Sequence, residues 1–111
     1  MELKNLVERI EMLEYHMRLT AEALDRTPYE LNKLVIANKL SEKEAGQFFT
    51  LCEKMHKLME EQKAEGFLNF HPLFNEFSSL LTPKLNPEEV VLACIKQQLF
   101  LPLMNEFKKF I

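Results

Sequence analysis

Three side chains of types that bind metal ions lie within one short stretch of the chain: Cys52, Glu53 and His56. Residues three and four positions apart share one face of a helix, so Cys52 or Glu53 could join His56 at one ion. Di-metal carboxylate bundles, however, need two Glu-x-x-His steps and two further inward glutamates, and no second Glu-x-x-His occurs here. We therefore predict a core cysteine beside a half-exposed histidine, with no metal ion and no cofactor.

A second candidate site is an aromatic segment around His71 and Pro72. A helix that begins there would place an imidazole beside several phenylalanines, as in the apolar pockets that bind small ligands between helices. The competing interpretation is a turn histidine before a proline-started helix, with the phenylalanines in the core or an interface. The residues of this predicted pocket are Phe67, Phe70, His71, Phe74 and Met104.

The remaining side chains give little indication of catalysis. No serine or cysteine lies in a recognisable nucleophile motif, and two glycines are too few for a phosphate-binding loop. His16 could make an association between chains depend on pH, although most such histidines lie on a solvated edge. We therefore expect no enzymatic activity.

The elements that must position these residues begin with an amphipathic N-terminal helix. Its apolar residues recur every three or four positions, interrupted only by Thr20, which is the heptad pattern of a helix that packs against another helix. We predict that the Leu3 to Leu13 end of this stripe associates with a second copy of the chain, as a dimer or a trimer. We also predict that its Met17 to Leu24 end packs on its own domain. The stripe comprises Leu3, Leu6, Ile10, Leu13, Met17 and Leu24.

Helix starts are marked three times by a capping residue followed three positions later by glutamate, at Thr27, Ser41 and Asn86. Pro102 indicates a kink or the start of a separate last helix, and Gly66 suits a left-handed helix stop. The pattern predicts an oligomeric all-α bundle of five to six helices in a single domain. Its N-terminal helix occupies 1–26 and the bundle 27–111. The predicted helices cover about residues 2–26, 28–39, 42–65, 72–81, 87 onward and 102–110.

Composition excludes several partners. The chain of 111 residues has 14 Lys and Arg and 17 Asp and Glu, and the interspersed signs offer no basic patch for nucleic acid. The apolar C-terminus around Leu99 to Leu103 carries only Lys108 and Lys109 nearby, so we expect docking on the bundle or a neighbouring subunit rather than on a membrane. The first residues lack the layout of a secretory signal, and Cys52 and Cys94 suit a reducing compartment, which favours the cytoplasm.

Three segments in this order carry a resemblance to a known family: Arg9 to Tyr15, Gln62 to Phe67 and Gln98 to Met104. Together they are similar to small bacterial proteins of unknown function, the YhaI-like family, over nearly the whole chain. The resemblance implies a multihelical fold in a bacterial cytoplasm and assigns no catalytic residues.

The leading interpretation is a homo-oligomeric module that binds an unidentified partner protein. The alternative is a small-ligand-binding bundle that uses the aromatic pocket, and a third interpretation, a DNA-binding regulator, conflicts with the acidic balance.

Overall fold

The computed structural model describes residues 2–111 and contains six helices with no strand in that range. It confirms an all-helical chain with a long N-terminal helix. The helices, numbered in chain order, are α1 (Leu3–Leu24), α2 (Glu30–Ala37), α3 (Glu42–Ala64), α4 (His71–Leu80), α5 (Pro87–Gln97) and α6 (Leu101–Lys108).

Helices α2 to α6 share one hydrophobic core. Helix α5 packs between α2 and α6, while α3 packs against α4 and α6. Phe77 of α4 and Phe107 of α6 lie fully buried with their ring centroids 5.1 Å apart. Met55 of α3 and Val91 of α5 are also completely inaccessible to solvent, so the core draws on all the later helices.

Helix α1 extends away from this core. The molecule measures 63 × 29 × 19 Å, and its radius of gyration is 17.7 Å. A compact domain of this length would have a radius of gyration of about 13 Å. A 22-residue helix is about 33 Å long, which accounts for much of the long dimension. The chain therefore has a compact part, α2–α6, and a projecting helix.

Two of the three predicted helix caps are confirmed. The Ser41 side chain accepts a hydrogen bond from the Glu44 N–H, and the Glu44 carboxylate accepts one from the Ser41 N–H. The Asn86 side chain accepts from the N–H groups of Glu88 and Glu89. Each cap binds N–H groups that have no partner inside their helix, so α3 and α5 start where the sequence predicts.

The prediction for Thr27 is wrong. Its hydroxyl donates to the carbonyl of Leu24 at 2.7 Å, and α2 begins only at Glu30. The first N–H groups of α2 are capped instead by the side chain of Gln97, which comes from the end of α5. Thr27 therefore marks the end of α1: its hydroxyl and its backbone N–H both donate to the Leu24 carbonyl, while its hydroxyl oxygen accepts from the N–H of Tyr29 at 3.4 Å, ahead of α2.

Pro102 lies in a separate helix, one of the two alternatives that the sequence left open. Gln98 and Phe100 adopt left-handed backbone conformations, with φ of 60° and 50°, and these end α5 and redirect the chain before Leu101. Gly66 ends α3 with φ of 91°, as predicted. The proline then occupies the first turn of α6, where it costs no helical hydrogen bond.

Candidate oligomerisation surface

Helix α1 is an uninterrupted helix that the rest of the chain scarcely covers. It contains no glycine or proline, but none of its residues is buried. The α1 seam is the stripe predicted from the sequence. Its a positions are Leu3, Ile10, Met17 and Leu24, and its d positions are Leu6, Leu13 and Thr20. Helix stability in proteins comes mainly from packing of an apolar face, and most of this seam is uncovered.

The seam is exposed along almost its whole length. Leu3 is 76% exposed and Met17 64% exposed, and the residues between them are also exposed. Only Ala21 and Leu24, in the last turn, are partly covered by the rest of the chain. The contact with its own domain is therefore shorter than predicted: it covers part of the last turn, Ala21 to Leu24, and leaves Met17 exposed.

The base of α1 is held by Lys33 of α2. The Lys33 ammonium donates to the carbonyls of Asp25 at 3.2 Å and Thr27 at 2.9 Å, and it pairs with Glu30 at 2.8 Å. The hydrogen bond from Lys33 lowers the pKa of the Glu30 carboxyl. One side chain thus links the segment that follows α1 to the first turn of α2.

A groove lies in the corner between α1 and α2. It has a volume of about 440 Å³, and its lining is mainly apolar. Met17 and Ala21 line it from α1, and Ile36, which is half exposed, lines it from α2. Ile36 also borders a smaller depression with Phe49 of α3. The α1 seam therefore does not end at the projecting helix but continues onto the compact part of the molecule.

Sequence reasoning missed two features of this surface. Ile36 was not predicted as part of it, and no signal in the local sequence relates α2 to α1. Met12, Tyr15 and Leu19 form a second, shorter apolar patch on the face of α1 opposite the seam. Their i, i+3, i+7 spacing is visible in the sequence and would have revealed this patch.

The residues of the predicted aromatic pocket lie at one end of the core. Phe70, Phe74 and Met104 are buried, whereas Phe67 and His71 are exposed. The Phe74 ring lies 5.3 Å from that of Phe107, which occupies space beside it.

The exposed His71 ring covers the same end of the core. It lies 4.9 Å from the ring of Phe110, and the backbone N–H of His71 donates to the Asn69 side chain. His71 therefore lies over an aromatic cluster in which core side chains pack against one another. Ligand binding at this cluster stays a prediction.

Cys52 and His56, the two residues considered as metal ligands, differ in their exposure to solvent. Cys52 is completely buried in the core, and burial raises the pKa of its thiol strongly. His56 lies at the core edge, where its Nε2 is 3.0 Å from a carboxylate oxygen of Glu60. Within residues 2–111, no group of three histidine, cysteine or acidic side chains has an arrangement that could hold a metal ion.

The C-terminal helix packs onto the core. Leu103 and Phe107 of α6 are fully buried, Phe110 packs against the core, and Ile111 is partly exposed. None of the helices formed by residues 2–111 combines the length and the apolar character needed to cross a bilayer.

These features define a class: a small all-α protein with a compact core of five helices and one projecting helix whose apolar seam is largely exposed. The chain matches, over residues 3–111, the family described as "Protein of unknown function (DUF1878)". The match covers nearly the whole sequence, and the chain therefore belongs to this family. Membership in this family assigns no activity.

Proposed function

We propose that this protein is a homo-oligomeric interaction module of the bacterial cytoplasm, without catalytic activity, whose copies associate through the α1 seam. The compact part, α2–α6, would then be presented at the end of the assembled helices, where it can bind another protein. The observation that carries the proposal is the exposure of every seam residue from Leu3 to Met17 on a helix that buries none of its side chains.

The energetics support an association rather than a free helix. Burying one large aliphatic side chain is worth about 1.5–3 kcal/mol, and the seam offers five such residues before Leu24. Most of the stability of a helix in a protein comes from packing of its apolar face, and on α1 that face is uncovered from Leu3 to Met17. A second copy is the simplest occupant, because the heptad spacing of the seam complements itself.

The decisive experiment compares two pairs of substitutions on opposite faces of α1. Ile10→Asp with Leu13→Asp introduces charge into the seam, and Met12→Asp with Leu19→Asp introduces the same charge into the opposite patch. The substituted residues of the two variants have similar exposure, since Leu13 is 59% exposed and Met12 is 61% exposed. Neither pair touches the core, so both variants should fold, and their helical content is checked by circular dichroism.

We expect wild-type protein to sediment with a mass of two or more copies of the 13.1 kDa chain. The seam variant should sediment as a monomer, and the opposite-face variant should keep the wild-type mass. A monomeric wild-type protein, or a seam variant that keeps the oligomeric mass, would contradict the proposal.

A further inference from the structure

Two opposite charges flank the α1 seam at positions that define the orientation of a partner helix. With Ile10 at position a, Arg9 occupies position g and Glu14 occupies position e. In a parallel coiled coil, a g residue lies beside the e residue five positions later on the neighbouring helix. Arg9 of one copy would therefore meet Glu14 of the next copy.

The charge pattern favours the parallel orientation over the antiparallel one. When helices run antiparallel, g faces g and e faces e. In the antiparallel register that keeps the seam paired, Arg9 faces His16 and Glu14 faces Val7, so no opposite charges meet. Among residues 2–111, the ion pairs within the chain include neither Arg9 nor Glu14, which leaves both charges available for a partner.

The corner groove extends the same contact. A helix that follows the seam in parallel continues past Met17 and enters the groove between α1 and Ile36. The occupant thus covers the exposed apolar residues of α1 and the exposed wall of α2 in one continuous interface.

We infer that the α1 helices of two or more copies pair parallel and in register, with Arg9 of each copy bound to Glu14 of its neighbour. The inference rests on the proposed function and adds the orientation and the polar contacts that select it. It places the compact parts of all copies at the same end of the assembly, where they form one composite surface for a partner.

Charge reversal tests the orientation directly. Arg9→Glu places two carboxylates together at each flank of the parallel seam, and Glu14→Arg places two guanidinium groups together there. A mixture of the two variants restores opposite charges at the flanks of each mixed pair. An exposed ion pair that becomes a repulsion costs about threefold in affinity, so two such pairs cost about tenfold.

We expect each variant alone to associate about tenfold more weakly than wild type at low salt, and the 1:1 mixture to recover wild-type affinity in sedimentation equilibrium. The matched control is Glu8→Arg, the same charge change on the outer face, which should leave affinity unchanged. If the mixture is no tighter than the separate variants while wild type is oligomeric, the parallel orientation is wrong and the proposed function stands. If wild type is monomeric, the proposed function itself fails.

Disulfide trapping gives an independent readout. Leu6→Cys at position d meets itself in a parallel pair, whereas in the antiparallel register it meets Met17→Cys of another copy. The natural thiols should form no disulfide in this experiment, because Cys52 and Cys94 are buried. In a glutathione redox buffer we expect covalent dimers from Leu6→Cys alone and none from Glu8→Cys. Crosslinking only in a mixture of Leu6→Cys and Met17→Cys would overturn the inference.

Discussion

The side-chain oxygen of Gln97, the last residue of α5, accepts a hydrogen bond from the backbone N–H of Leu31 in the first turn of α2 at 2.9 Å. The same oxygen accepts from the N–H of Asn32 at 3.1 Å, and the Gln97 amide group donates to the Asn32 side chain at 2.9 Å. A residue 66 positions away in the sequence therefore performs the role that an N-cap residue normally performs locally. This contact links the start of α2 to the end of α5.

Removing the Gln97 cap should destabilise the protein. Gln97→Ala leaves two N–H groups without their acceptor, and we expect the free energy of unfolding to fall by about 1–2 kcal/mol. Asn32→Ala removes only the third hydrogen bond and should cost less. Denaturant unfolding followed by circular dichroism measures both, and equal losses in the two variants would contradict the capping role.

The two glycines should respond to alanine with opposite signs. A Cβ at Gly46 would meet no atom within 4 Å, and the residue lies inside α3, so Gly46→Ala should stabilise the protein by about 0.5–1 kcal/mol. Gly66 has φ of 91°, a conformation that strains any side chain, so Gly66→Ala should destabilise by about 1 kcal/mol. Thermal and denaturant unfolding of both variants measure the two changes in stability. If both substitutions stabilise the protein, or both destabilise it, the prediction is wrong.

Glu44 should contribute stability that depends on pH. Hydrogen bonds from Lys84 and from the Ser41 N–H lower the pKa of its carboxyl from the ordinary value of 4.5. The contribution is therefore fully present above pH 4.5 and is lost as pH falls through the lowered pKa.

The comparison of wild type with Glu44→Gln isolates this effect. Wild type should be more stable at pH 7, and the difference should shrink steadily below pH 4.5. Glu42→Gln, in the same first turn of α3, removes a charge without these partners and should show a smaller difference. Thermal unfolding over a pH series measures it, and a difference that does not change with pH would refute the assignment.

Both cysteines should be inert in the folded protein. Burial raises the pKa of the Cys94 thiol to about 12 and that of Cys52 further still, so almost no thiolate forms near neutral pH. Ellman's reagent at pH 8 should therefore label neither residue in native protein and both in denaturant. Rapid labelling of either thiol without denaturant would show that the core opens around it.

The local sequence was sufficient to predict the starts of α3 and α5 and the end of α3. The caps at Ser41 and Asn86 and the stop at Gly66 involve only residues close to each helix end. Such local interactions can be predicted from the sequence. The prediction of Cys52 as a core residue is also confirmed, because burial of one helix face sets the spacing of apolar residues.

Tertiary structure alone decided how these elements meet. Thr27 matches a cap in sequence, but its hydroxyl binds the end of α1, and Gln97 caps α2 because α5 packs beside it. The sequence determined that α1 carries an apolar seam. Only the fold determined that this seam stays exposed up to Met17 and continues onto Ile36, because coverage of a helix face depends on contacts between residues far apart in the chain.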